Sequence, residues 1–252
     1  MIKNVKDQVV YYTFNILAKY PELRHGVMTR RGPQGQDWTF SYQYQDEPKI
    51  VNTNIETACN ILGLKPAAFV LQNHGTNTLI LAPHEIYRPQ RPEDVFQGFD
   101  AIISGFGHSM MIKLADCQGL IVYDPISRTL ALVHSGWRGS VQNIIGKTIK
   151  TMTRVFKLDP KNFLACCSPS LGPCCAEFIN YRTELPEYFW EFKNDNDYFD
   201  FTAISRRQLL KAGLIEDNIE FSGLCTRCSD EFYSYRRGEN GRFAVIAGVS
   251  DN

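Results

Sequence analysis

Three residues of this chain carry metal-binding chemistry, and each sits in a turn of small residues. They are His74 in Gln72-Asn73-His74-Gly75, Cys117 in Ala115-Asp116-Cys117, and His134 in His134-Ser135-Gly136-Trp137-Arg138-Gly139. A thiolate and two imidazoles are a donor set suited to Zn²⁺. Three protein ligands leave a position open to water or substrate, the arrangement of catalytic rather than structural zinc. Asp116, beside Cys117, is a candidate proton carrier or a partner that orients a ligating histidine. The same residues also fit a buried thiol, two hydrogen-bonded imidazoles and a turn-capping aspartate. A third chemistry is open to them, with Cys117 as a hydrolase nucleophile and His134 or His74 as its base.

A second group of residues has the chemistry to meet an anion. Gly136-Trp137-Arg138-Gly139 precedes the strongest helical pattern, so free backbone N–H groups and the Arg138 cation would face one place. The alternative is a glycine-bearing loop whose Trp137 packs in the core. Phe232-Tyr233-Ser234-Tyr235-Arg236-Arg237 sets aromatics beside two cations, which suits base stacking and phosphate contact or, alternatively, an edge strand. Thr29-Arg30-Arg31-Gly32 is a similar cationic turn.

Lys+Arg and Asp+Glu both number 27, and this zero balance argues against a general nucleic-acid binder, which needs a basic surplus. No apolar run approaches a membrane span. Val9 to Leu17 is interrupted by Asn15 and followed by Lys19 and Tyr20, so it reads as a strand and its continuation rather than a signal core. A cytoplasmic protein is therefore expected. In that compartment the eight cysteines at 59, 117, 166, 167, 174, 175, 225 and 228 are reduced thiols or metal ligands rather than a disulfide framework. Cys225-x-x-Cys228 is half of a zinc site or a redox pair. A second Cys-x-x-Cys is missing and no histidine follows residue 134, so a structural, loop-shaping role is expected. Ser168 to Cys175 is a stiff loop that lines a pocket or forms a turn with buried thiols.

The elements that must position these groups are short. β-Rich runs occur at 68–71, 78–81, 101–103, 110–114, 120–123, 130–133 and 244–247, with a hairpin turn at Asp124-Pro125-Ile126-Ser127. Ile145, Ile149, Met152 and Phe156 form one helical stripe after Gly139. Residues 54–62, 186–192 and 204–212 are further helix candidates, the last stopped by Gly213. Pro83 to Gln97 reads as an exposed flap. Without strict βαβ alternation, the pattern predicts an α/β or α+β layered fold with mixed sheets, and the length suits one domain over 1–252.

Taken together, the motifs resemble the laccase-like family often described as multicopper polyphenol oxidases. Its members are regarded as zinc-dependent purine nucleoside phosphorylases with adenosine deaminase activity. The resemblance rests on His25 to Gly32, Gln72 to Gly75, Phe99 to Gly105, Ala115-Asp116-Cys117, Tyr123-Asp124-Pro125, His134 to Gly139, Pro169 to Cys175 and Cys225 to Arg237, in family order. It implies mixed β-sheets in a layered sandwich flanked by helices, and a monomer or weak oligomer. It implies zinc held by His74, Cys117 and His134, with Arg30, Arg138 and Arg236 touching a purine nucleoside or phosphate. Departures such as Ala176, where the family has an aromatic, touch none of the three ligands.

Five histidines are too few for a four-copper laccase centre, which draws mostly on histidine. A single copper in the same ligands, with weak phenol oxidation, remains the alternative to zinc. A zinc-stabilised binding module without catalysis is a third class.

Overall fold

A computed structural model of the chain describes residues 1–44, 47–83 and 91–250. Among these, thirteen strands form two mixed sheets: β1 (Ile2–Lys6), β2 (Val9–Thr13), β3 (Leu23–Met28), β4 (Ala68–Leu71), β5 (Thr78–Ile80), β6 (Phe96–Gln97), β7 (Ala101–Ser104), β8 (Ser109–Leu114), β9 (Gln118–Asp124), β10 (Thr129–Ser135), β11 (Leu164–Cys167), β12 (Ile219–Phe221) and β13 (Phe243–Val249). The first sheet runs β1-β2-β3-β13-β8-β4-β6 and the second β12-β11-β9-β10-β7-β5. The helices are α1 (Pro48–Leu62), α2 (Trp137–Val141), α3 (Ile144–Phe156), α4 (Tyr181–Glu184) and α5 (Phe201–Lys211).

The side-chain alternation of each strand explains the layering. Ile121 and Tyr123 of β9 face Met110, Ile112 and Leu114 of β8 across the inter-sheet core. Leu120 and Val122, one residue out of phase, meet Ile145, Ile149 and Met152 of α3. On the far face of the first sheet, Met111, Ala244 and Ile246 pack beneath Val51, Ile55 and Ala58 of α1. The order is therefore helix, sheet, sheet, helix, and the central strands are buried on both faces. Such strands read as continuous apolar runs, which is why β4, β7 to β10 and β13 are visible in the sequence, whereas β5 is a short, half-exposed edge strand. Each large side chain sealed in these layers contributes about 1.5–3 kcal/mol.

Local chemistry sets the helix ends. α1 begins earlier than its apolar pattern suggests, because Pro48 fits the first turn, where no N–H is needed. It stops at Gly63, whose left-handed backbone (φ 70°) closes the last turn. The helix expected after Gly139 is broken in two: Asn143 takes a left-handed conformation (φ 57°) and caps α3 by accepting from Gly146 N. Residues 187–192 form a 3₁₀ turn rather than an α-helix, and Tyr235–Arg237 is also a 3₁₀ turn, not an edge strand. Of the expected flap, residues 84–90, His84 among them, lie outside the described residues, and Phe96–Gln97 is a strand paired to β4. Among the described residues, no helix is long and apolar enough to cross a membrane.

The connection that matters for chemistry is Ala115-Asp116-Cys117. It carries the chain from β8 in the first sheet to β9 in the second.

Candidate metal centre

His74, Cys117 and His134 come from three strand ends that this crossing brings together. His74 follows β4 in the first sheet, Cys117 lies between the sheets, and His134 is the penultimate residue of β10 in the second. Their donor atoms all lie within 4.8 Å of one another. The two imidazole centroids are 4.9 Å apart at 76°. These separations are close to the roughly 3.3–3.8 Å between donors of a tetrahedral zinc site, so the trio fits an ion with small contraction. His134 is buried, Cys117 half-buried and His74 exposed, which leaves the centre open on the His74 side.

Asp100 organises the group. Fully buried just before β7, its Oδ1 accepts from His134 Nδ1 at 2.8 Å and from His74 N at 2.9 Å. Its Oδ2 accepts from Gly75 N at 2.7 Å and Asn73 N at 3.3 Å. A carboxylate only accepts, so Nδ1 of His134 carries the proton and Nε2 is left for a metal. The same carboxylate holds the turn in which His74 adopts a positive φ of 62°. Burial tends to raise Asp100, but the His134 contacts and backbone donors outweigh it and hold it below its ordinary value.

Electrostatics favour a thiolate. Burial pushes the Cys117 thiol up, yet the His134 and His74 imidazoles dominate and bring it down to about 6. Burial likewise lowers His134, but Cys117 and Asp100 dominate and raise it to about 9. Each group thus favours the charged form of the other, and the imidazole keeps Nε2 unprotonated when it takes a metal. Gly136 is sterically required here. A Cβ at this position would lie 2.7 Å from His74 Cδ2 and 3.0 Å from Cys117 Sγ.

The trio forms part of the wall of a cleft of about 810 Å³. Trp137, Phe178 and Phe201 make an aromatic side, with ring centroids 6.2 Å apart for Trp137 and Phe178 and 5.2 Å for Phe178 and Phe201. Arg138 lines the same cleft and stacks on Trp137 at 4.3 Å. Arg236 also lines it, and both its terminal nitrogens donate to Glu177 O at 3.1 Å. Ser135 Oγ, buried in this wall, has no hydrogen-bond partner among the described residues.

The expected residues do not all arrive in the expected roles. Arg30 is not among the residues lining the cleft. Its guanidinium is held by Asp37 and Glu239, each at 2.6 Å, and stacks on Tyr233 at 4.5 Å. Asp116 does line the cleft, but its oxygens accept from Thr226 Oγ1 at 2.6 Å and Arg236 N at 2.7 Å. The carboxylate that orients a candidate ligand is Asp100. Gly136 to Gly139 lie at and within the five-residue α2 rather than ahead of a long helix, which weakens the expected helix-end contribution to an anion site. Two residues carry roles that the sequence does not assign: Asp100, a carboxylate inside the Phe99 to Gly105 stretch, and Lys113. The latter is a buried cation in the cleft wall, lowered to about 8 by burial and by Arg242. The strand alternation of β8, which puts Lys113 between two core positions, was the signal available for it.

The family model described as multi-copper polyphenol oxidoreductase laccase matches residues 24–250. A Bacteroides thetaiotaomicron protein named purine nucleoside phosphorylase is 27% identical over 99% of this chain and 98% of its own. A Xylella fastidiosa protein of the same name is 28% identical over 81% of this chain and 80% of its own. The crystal structure of YlmD from Geobacillus stearothermophilus superposes with a TM-score of 0.83 at 21% identity, covering 96% of each chain, and so shows a shared fold.

Proposed function

The chain belongs to the multi-copper polyphenol oxidoreductase laccase family, and from that premise we propose that it is a zinc-dependent purine nucleoside enzyme. Its reactions are phosphorolysis of adenosine, inosine or guanosine and deamination of adenosine. The observation that carries this reading is the meeting of His74, Cys117 and His134 at a cleft that also presents aromatic rings and cations. The substrate class follows the names of the relatives.

The donor set suits zinc: one thiolate, one imidazole fixed by Asp100 and one exposed imidazole. Zinc held by His74, Cys117 and His134 would supply Lewis acidity at the wall of the cleft. The chain's own residues do the rest. Trp137, Phe178 and Phe201 offer faces on which a purine stacks. Arg138 and Arg236 attract phosphate, and the unpartnered Ser135 hydroxyl is left to bond the substrate. Asp116, anchored at both oxygens, moves a proton to or from the purine. In phosphorolysis, a phosphate oxygen bonds to ribose C1′ as the bond from C1′ to the purine nitrogen breaks. In deamination, water adds at purine C6 and ammonia leaves.

The thiolate–imidazole donor set also suits copper, and a copper-loaded form oxidising phenols is the second reading. A four-copper centre is not supported. His25 Nε2 accepts from Phe14 N, His108 Nδ1 bonds Ser104 Oγ, and neither joins the trio among the described residues.

Product analysis with adenosine tests the proposal. Adenine and ribose 1-phosphate should form only with phosphate present, and inosine with or without it. Phenol oxidation with no nucleoside product would support the copper reading. Loss of activity on thiol alkylation with metal content unchanged would support a cysteine hydrolase.

A further inference from the structure

A second cluster of metal-ligating side chains lies outside this trio. The sulfurs of Cys174, Cys175, Cys225 and Cys228 all lie within 4.8 Å of one another. Cys174 Sγ is 3.7 Å and Cys175 Sγ 3.5 Å from Cys228 Sγ, and all four cysteines are free. Four sulfurs at about 2.3 Å from a tetrahedral zinc stand about 3.8 Å apart, so the observed spacing is close to that of a tetrathiolate cage. The sulfurs that meet Cys225-x-x-Cys228 belong not to another Cys-x-x-Cys but to the adjacent pair Cys174-Cys175, some fifty residues upstream.

The backbone around the cluster is built to hold sulfur. Gly172 N donates to Cys225 Sγ at 3.3 Å. A Cβ on Gly172 would lie 3.0 Å from Cys225 Cβ and 3.4 Å from Cys174 Sγ, so only glycine gives this close approach without displacement. The two loops are already laced together: Thr226 N donates to Ser170 O at 2.9 Å and Ser170 N to Leu224 O at 3.3 Å. Arg237 wraps the second loop, donating to the carbonyls of Thr226, Arg227 and Ser229. The trio at His74 has an open side, but here four sulfurs would complete a tetrahedral shell.

We propose that Cys174, Cys175, Cys225 and Cys228 form a second, structural zinc site that staples the two loops forming one wall of the cleft. Beyond Cys175 the first loop continues to Glu177 and Phe178, and beyond Cys228 the second continues to Tyr235 and Arg236, all in the cleft wall. Thr226, between two of the thiols, holds Asp116. The staple therefore fixes groups used in binding without touching the reacting atoms.

The test uses the full chain, reduced and reconstituted with zinc, as wild type, Cys117→Ala and Cys174→Ser/Cys228→Ser. About two zinc ions per wild-type chain are expected and about one in each variant. X-ray absorption of Cys117→Ala should show four sulfur neighbours at about 2.3 Å. Chelation of that variant should lower its Tm and increase proteolysis within 171–178 and 224–237. Should Cys174→Ser/Cys228→Ser not fold, the zinc content and sulfur shell of Cys117→Ala decide alone. A Cys117→Ala protein that holds no zinc, or holds it with nitrogen neighbours, would overturn the proposal. So would a stable disulfide among the four cysteines of the zinc-reconstituted protein. Failure of the nucleoside reading would leave these results unchanged, because Cys117→Ala has already removed a ligand of the other centre.

Discussion

Asp100 and His134 meet through Oδ1 and Nδ1 at 2.8 Å in a fully buried setting, and the same oxygen also accepts the His74 backbone N–H. One carboxylate thus sets the tautomer of one candidate ligand and the position of the turn bearing another. Carboxylate, histidine and metal in series is a recurrent arrangement because it orients the ring and raises its basicity. Here it couples two of the three donors.

Asp100→Asn keeps the size of the side chain and removes the charge. The amide cannot accept at both ends, so the His134 tautomer or the His74 turn is lost. Zinc affinity, measured by chelator competition, should fall about 10–100-fold. An unchanged affinity would show that Asp100 does not orient the ligands.

Gly136→Ala tests the steric requirement. The backbone there (φ −75°, ψ 173°) is acceptable to alanine, so the cost comes only from the contacts with His74 and Cys117. Overpacking of this kind costs about 1–3 kcal/mol. Taken from the ligands themselves, that is a loss of about fivefold to 150-fold in metal affinity. Metal titration and a thermal melt on the same variant should show weak binding with a nearly unchanged Tm.

His25 makes acid stability measurable. It is buried in β3 with Nε2 accepting from Phe14 N at 2.9 Å, and burial lowers it to about 4. The folded value lies below the unfolded one, near 6.5, so the stabilisation is fully present above pH 6.5 and is lost as pH falls through 4. Between pH 7 and 4.5 this group should remove about 2–3 kcal/mol from urea-unfolding stability. His25→Gln, which keeps an acceptor and cannot charge, should lose correspondingly less over that range.

How much of this was legible in the sequence depended on burial. β8, β9, β10 and β13 are sealed on both faces and announce themselves as apolar runs. β1 is an exposed edge strand of mixed polarity, Ile2-Lys3-Asn4-Val5-Lys6, and carries no such signal. β3 is interrupted by Arg24, His25 and Gly26, and β11 is only Leu164-Ala165-Cys166-Cys167, which reads first as a cysteine pair. The trio was visible because each member closes or follows an apolar run at a strand end, although His134 lies within β10 rather than in a turn. Asp100 was not, since its importance lies in reaching a turn 26 residues away. The partners of Arg30 were not legible either, because a cationic turn looks the same whether its guanidinium faces a substrate or pairs with two carboxylates, as Arg30 does with Asp37 and Glu239.

The central claim is that a metal held by His74, Cys117 and His134 carries out nucleoside chemistry. The most direct measurement is elemental analysis of wild type and Cys117→Ala, purified without added metal, with adenosine-plus-phosphate turnover assayed on the same samples. The account predicts about one zinc fewer per chain in Cys117→Ala and loss of both adenine and inosine formation. Turnover retained in a Cys117→Ala protein that has lost that zinc would contradict it.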